Sequence, residues 1–193
     1  AGSPWRTRVD LAHESELLGT GGTVLANRSY FGDAPFLLAH ADNLTDLDVP
    51  ALIAAHAARP RGCAITMLAF RTDDPRSCGI LEVDREGILR AFHEKIANPP
   101  GNLANGAVYI IESEVVAYIA ALGHGFVDIS TEVLPAFVGR IAVHETNRYH
   151  RDIGNAESLR RAHLEFRPRQ IVPSSMRQNR PQAPAQQGLR SQP

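Results

Sequence analysis

The sequence predicts an α/β fold, a mixed and mostly parallel sheet flanked by helices. Three observations carry this expectation. Strand-like and helix-like segments alternate along the chain, the pattern that lays helices over a largely parallel sheet. The strand-like segments include short continuous apolar runs, which suit strands covered on both faces. One hairpin signal breaks the alternation and makes the sheet mixed.

The elements follow in order. Pro35 to Ala41 (PFLLAHA) is an apolar run suited to a buried parallel strand. Asp48 can cap a helix with Pro50 in its first turn, running to about Arg59. Cys63 to Phe70 is a second buried strand. Gly79 to Val83 and Ile88 to His93 form a hairpin through the turn Asp84 to Gly87. Leu103 to Ile111 is a strand, and Ser113 caps a helix to about Ala121. Thr131 to Val138 is a short helix and Ile141 to Glu145 a strand. Asn155 caps a last helix toward Phe166.

Composition sets the bounds. The 193 residues are 44% hydrophobic and 21% charged, enough to build a sizeable core. No apolar run approaches the roughly 18 residues of a membrane span. The start, AGSPWRTRVD, carries no apolar leader, and the cytoplasm is the expected compartment. Cys63 and Cys78 lack metal-ligand spacing and read as buried thiols. The histidines show no H-E-x-x-H pattern, and no G-x-S-x-G elbow is present. The net charge of -1 is unevenly spread, because residues 167–193 hold five arginines and no acid. This stretch is rich in Pro, Gln and Ser and is expected to be a disordered basic tail. It has no aromatic residue to stack bases, so no nucleic-acid partner is expected. Of the 20 basic residues only Lys95 is a lysine, a compact point charge in a chain that otherwise uses arginine.

In open α/β sheets ligands bind beyond the carboxyl ends of strands. Polar residues after the apolar runs are therefore the site candidates. Asp42 and Asn43 follow the first strand. Asp42 can hold Mg²⁺ against phosphate oxygens, or is a turn acid or a helix cap. Glu94 and Lys95 end the hairpin. Glu94 can accept bonds from sugar hydroxyls and Lys95 can neutralise a phosphate, or the two form an exposed ion pair. Asn105 sits inside a strand, where asparagine is disfavoured, and a polar task is expected of it. Asp152 is a second metal ligand or a buried acid tying the last helix to the sheet. Gly19-Thr20-Gly21-Gly22 opens a helix whose N–H groups would face an anion, or is a structural turn.

Taken in order, ESELLGTGGTVL, FLLAHADNLTDLDVPALIAAH, SCGILEVDREGILRAFHEKI, NLANGAVYII, DISTEVLPAFV and RDIGNAESLRRAH resemble the sugar-1-phosphate nucleotidyltransferases. Mannose- and heptose-1-phosphate guanylyltransferases and glucose-1-phosphate thymidylyltransferases belong to that family. The resemblance covers Glu14 to about His163 and implies a Rossmann-like, nucleotide-diphospho-sugar transferase fold. It also implies transfer of a nucleoside monophosphate from a nucleoside triphosphate to a sugar-1-phosphate, with release of pyrophosphate. Asp42 and Asp152 would share the Mg²⁺, and with Lys95 form the catalytic set. Gly19, Thr20, Gly21 and Gly22 would lie on the nucleotide side. Asn43, Gly79, Glu94 and Asn105 would contact substrate, with Glu94 and Asn105 on sugar hydroxyls.

The sequence departs from the family in one major respect. A G-x-G-T-R-L loop and its preceding strand are expected before Glu14, and nothing here matches them. Residues 1–166 therefore read as an N-terminally incomplete domain. The chain alone is expected not to turn over, and a bare sheet edge would favour self-association. Ala41, Ile96, His150 and Asn155 replace a glycine, a proline, a tryptophan and a threonine usual for the family. A competing reading is a non-catalytic sugar-phosphate-binding or docking module.

Overall fold

The computed structural model describes residues 8–168. The predicted tail lies outside the described residues from position 169 onward. The strands are β1 (Phe36–Ala39), β2 (Asn43–Thr45), β3 (Ile65–Arg71), β4 (Gly79–Val83), β5 (Leu89–Glu94), β6 (Leu103–Ile111), β7 (Ile141–Glu145) and β8 (His150–Asp152). The helices are α1 (Gly19–Ala26), α2 (Val49–Ala57), α3 (Ser113–Ala121), α4 (Leu134–Ala136) and α5 (Ala156–Glu165), and a π-helical turn at Ile129–Val133 leads into α4.

The main sheet has the order β5-β4-β6-β3-β7, with β1 also paired to β6. The α/β class holds, with a mixed sheet flanked by helices. The expectation of a mostly parallel sheet does not. Only β3 and β7 pair in parallel; β1–β6, β3–β6, β4–β5 and β4–β6 are antiparallel. The reason lies in β6. Strands β1, β3, β4 and β7 all point one way, but β6 runs against them and separates β1 and β4 from β3. Periodicity along a strand reports which face is buried, not the direction of the neighbour.

Both faces of the centre are covered. Ile65, Met67 and Ala69 of β3 and Tyr109 and Ile111 of β6 pack toward Val24 of α1, Val115 and Ile119 of α3, and Leu134. The alternate residues Leu68, Val108 and Ile110 pack on Leu52 of α2. Strand β1 differs from its prediction as a buried strand, since Phe36 and Leu38 are half-buried while Leu37 and Ala39 are exposed. Its outer edge pairs with no strand among the described residues.

Local chemistry sets the element ends. The Asp48 carboxylate accepts the Ala51 N–H, and the Asn155 side chain accepts the Ser158 N–H, as their cap positions require. The Asp84 carboxylate accepts the N–H groups of Glu86 and Ile88 and closes the hairpin turn. Ser113 is not a cap. Glu112 holds that position without a side-chain cap bond, because its carboxylate meets His56 and Arg59 instead. His56 in turn bonds Thr66 at 2.8 Å and ties α2 to β3.

Candidate functional site

The site begins with a gap in the sheet. On one edge of β6, β4 pairs as far as Ala104 and β1 starts at Val108. The end of β1 faces the start of β4 across Gly106 and Ala107, which neither strand pairs on that edge. The backbone bulges there. Ala107 has φ +48°, and the β3–β6 register shifts between Met67 and Ala69. A non-glycine residue in this region costs about 1–2 kcal/mol, so something must hold it. Asn105 does: its Oδ1 accepts the Ala107 N–H at 2.9 Å, and its Nδ2 donates to the Tyr109 hydroxyl at 2.7 Å. Tyr109 is buried, and burial pushes its hydroxyl pKa well above the ordinary value.

One row of the sheet leads into the gap. Gly79 is paired with Glu94 across the hairpin, and one step along the antiparallel register Gly79 comes beside Asn105. A Cβ on Gly79 would stand 2.7 Å from a Glu94 carboxylate oxygen and 2.6 Å from the Phe92 ring. Only glycine lets Glu94 lie over the strand. Lys95 turns out of β5 at φ +49°, with its ammonium 3.7 Å from Glu94 and its side chain 65% exposed. Gly79, Glu94, Lys95 and Asn105 are therefore brought together.

The two aspartates meet through a second, two-stranded sheet that sequence reasoning missed. Asn43 of β2 pairs with Asp152 of β8, and the Ile153 N–H donates to the Asp42 carbonyl at 2.8 Å. The carboxylates converge on Gly154. A Cβ there would stand 3.0 Å from Asp152 Oδ1 and 3.2 Å from Asp42 Oδ2, and the Gly154 N–H donates to Asp152 Oδ1 at 2.7 Å. Neither carboxylate pairs with a lysine or arginine among the described residues. The segment is tied to the bulge by the His40 N–H on the Ala107 carbonyl at 3.2 Å and by Asn43 Nδ2 on the Gly106 carbonyl at 3.1 Å. Strands of three residues carry too little periodicity to be read in advance.

The glycine-rich segment departs from its prediction. The Val127 carbonyl takes the N–H groups of both Gly21 and Gly22, at 2.8 and 3.2 Å. The Thr20 hydroxyl accepts the Ile129 N–H and lies 3.4 Å from Asp128. Gly19 has φ +71°, and a Cβ there would collide with Val127 O at 2.5 Å. Two of the N–H groups expected to face an anion are thus used in packing α1 against the 127–129 segment. The Asp128 carboxylate accepts the Thr131 N–H and caps the turn that follows, which the Asp-Ile-Ser-Thr pattern signals in the sequence.

No three His, Cys, Asp or Glu side chains gather as a metal cage among the described residues. His40 and His150, each two residues before an aspartate, bury Nε2 and Nδ1 respectively without a hydrogen-bond partner among the described residues. His150 packs on Phe70, and burial lowers its pKa to about 4. A cleft of about 570 Å³ lies among the ends of β3 and β7 and helix α5, and shares only Asp152 with the predicted residues. Its arginines are matched by acids: Arg71 with Glu145, Arg148 with Asp48, Arg151 with Glu165 and Arg161 with Asp73.

Fold and site together define a helix-flanked mixed sheet with a polar cleft where two strands part along a central one. Residues 1–168 match the nucleotidyl transferase family, and the chain belongs to it. Over 177 residues it is 28% identical to mannose-1-phosphate guanylyltransferase of Mycobacterium tuberculosis, covering 90% of this chain and 48% of that protein. It is 29% identical over 157 residues to valienol-1-phosphate guanylyltransferase of Streptomyces hygroscopicus subsp. limoneus, covering 75% of this chain and 42% of that protein. The chain thus spans less than half the length of these relatives. HddC from Yersinia pseudotuberculosis, solved with GMP-PN, has the same fold, with a TM-score of 0.67 at 24% identity over 82% of this chain and 67% of that one.

Proposed function

We propose that the chain carries the sugar-phosphate and metal side of a sugar-1-phosphate nucleotidyltransferase. The observation that supports this best is the convergence of Gly79, Glu94 and the Asp42–Asp152 pair on the uncovered stretch of β6. In this reading Glu94 accepts hydrogen bonds from sugar hydroxyls over the bare Gly79 backbone, and Lys95 faces the sugar phosphate. Asp42 and Asp152 fit a Mg²⁺ ion, as two carboxylates that meet no lysine or arginine among the described residues, beside a glycine, leave room for water and phosphate oxygens. Bound there, the ion would supply charge neutralisation to the phosphates.

A sugar-1-phosphate oxygen would attack the α-phosphorus of a nucleoside triphosphate. The new P–O bond forms as the bond to the β-phosphate bridge breaks, and pyrophosphate leaves. Such a transfer needs alignment and charge more than acid–base groups, which agrees with the absence of a catalytic histidine in the row. The cytoplasm suits these substrates. Self-association along the outer edge of β1 is part of the same reading, and sedimentation over a range of concentrations tests it.

Calorimetry of the folded chain with sugar-1-phosphates in Mg²⁺, alongside a pyrophosphate-release assay with several triphosphates, tests the function. Sugar-1-phosphate binding that Glu94→Gln weakens supports it. No binding by any sugar-1-phosphate sinks it. A second reading, a sugar-phosphate-binding module without transfer, is favoured by the Gly21 and Gly22 N–H groups already held by Val127. Sugar-1-phosphate binding with no triphosphate binding and no pyrophosphate would select it.

A further inference from the structure

The resemblance gives Asn105 to the sugar, yet its amide is committed on both ends inside β6. The geometry points to a different task. We propose that Asn105 is a positioning residue for the aspartate pair: it latches the β6 bulge, whose two carbonyls hold the segment that carries Asp42. This inference rests on the reading of Asp42 and Asp152 as the metal pair.

The chain of contacts is short. Tyr109 is fixed in the core and anchors the Asn105 amide through its hydroxyl. Asn105 Oδ1 then pins the Ala107 N–H and keeps Ala107 at φ +48°. That conformation aims two successive carbonyls at the neighbouring segment. The Gly106 carbonyl receives Asn43 Nδ2, and the Ala107 carbonyl receives the His40 N–H. His40 and Asn43 bracket Asp42, so its backbone is held at both sides. Asp42 then receives the Ile153 N–H through its own carbonyl, which sets it against Asp152. Asn105 itself touches neither carboxylate. Without the latch, Ala107 would relax to negative φ, and the carbonyls would turn away from their donors.

The test uses the full chain and Mn²⁺ alone, with affinity read by electron paramagnetic resonance. Asn105→Ala is expected to weaken Mn²⁺ binding about tenfold, the lower end of what losing an outer-shell partner costs. Adding Ala107→Gly should restore most of that loss, because glycine adopts the bulge conformation unaided. A residue that merely packs, or merely contacts sugar, gives no such rescue. Tyr109→Phe removes the anchor without a cavity and should weaken Mn²⁺ about threefold, the lower end of what one lost hydrogen bond costs; it decides the matter if Asn105→Ala does not fold. Unchanged affinity in a folded Asn105→Ala protein, or no recovery in the double variant, overturns the inference and leaves the metal pair standing. No Mn²⁺ binding by the wild-type chain overturns both.

Discussion

The sugar row and the aspartate pair are built in opposite ways. Gly79 and Glu94 face one another because a hairpin register puts them there, and Asp84 closes that hairpin with two backbone bonds. Asp42 and Asp152 come from loop-like segments 110 positions apart, joined by two three-residue strands. The row is local and its geometry follows from pairing. The pair is non-local and depends on contacts with β6 and on a glycine that leaves room. A site assembled from both should fail differently on each side.

The largest expected effect is on the pair. Asp152→Asn removes one of two anionic ligands. It should lower Mn²⁺ affinity by at least about a hundredfold, beyond the usual loss of an outer-shell partner. Sugar-1-phosphate affinity measured without metal should stay within about twofold, which corresponds to about 0.4 kcal/mol. An equal loss of both would show that the two regions are one unit and would end the comparison.

Next in size is Gly79→Ala, which strikes the row. The added methyl group meets Phe92 and Glu94 closer than real contacts allow. Overpacking of this kind costs about 1–3 kcal/mol. Thermal melting should register that loss, and calorimetry should show sugar-1-phosphate binding weakened about tenfold, with Mn²⁺ binding intact. Normal sugar-1-phosphate affinity would remove Glu94 from the sugar side.

The same contrast explains what was legible in the sequence. The Asp84–Gly87 turn between apolar runs announces the hairpin, so Glu94 and Lys95 fall at a strand end by counting. Asp48 and Asn155 announce their helices by capping. Nothing local announces that β6 runs against its neighbours, since Leu103 to Ile111 reads as a buried strand in either direction. Asp42 and Asp152 were legible as strand-end acids, but their meeting at Gly154 was not, because it depends on β2 pairing with β8. The Gly19–Gly22 segment misled for a related reason. Its N–H groups look free in sequence, and the carbonyl that takes them comes from Val127, over 100 residues away. The Asn105 latch is visible only once Ala107 is seen at positive φ.

Gly154→Ala is a gentler probe of the pair. Its methyl group would stand 3.0 and 3.2 Å from the two carboxylate oxygens, which can each give by a few tenths of an ångström. A loss of about fivefold in Mn²⁺ affinity is expected, close to 1 kcal/mol. Melting temperature should move little, because Gly154 is exposed and φ there is not positive. A large fall in melting temperature with normal metal binding would mark Gly154 as structural and separate it from the site.

A pH effect, read in folding stability rather than in ligand affinity, bears on the wall of the pair. Burial holds the His150 pKa near 4, below the usual 6.5. The unfolded chain therefore takes up a proton first as the pH falls. Stability from this residue is complete above about pH 6.5, declines between 6.5 and 4, and levels off below 4. Each such group contributes at most about 1.4 kcal/mol per pH unit in that window. His56 acts in the same direction, since burial and then Arg59 lower its pKa, while its contact with Glu112 opposes them. His150→Phe keeps a ring against Phe70 and removes the titration. Its denaturation free energy should fall less steeply from pH 6.5 to 4 than that of the wild-type chain, with the remaining slope from His56 and the acids. An unchanged slope would mean that His150 is wet and titrates normally. The aspartate pair would then have water behind β8, and its dependence on the β6 bulge would be weaker than the contrast with the hairpin row requires.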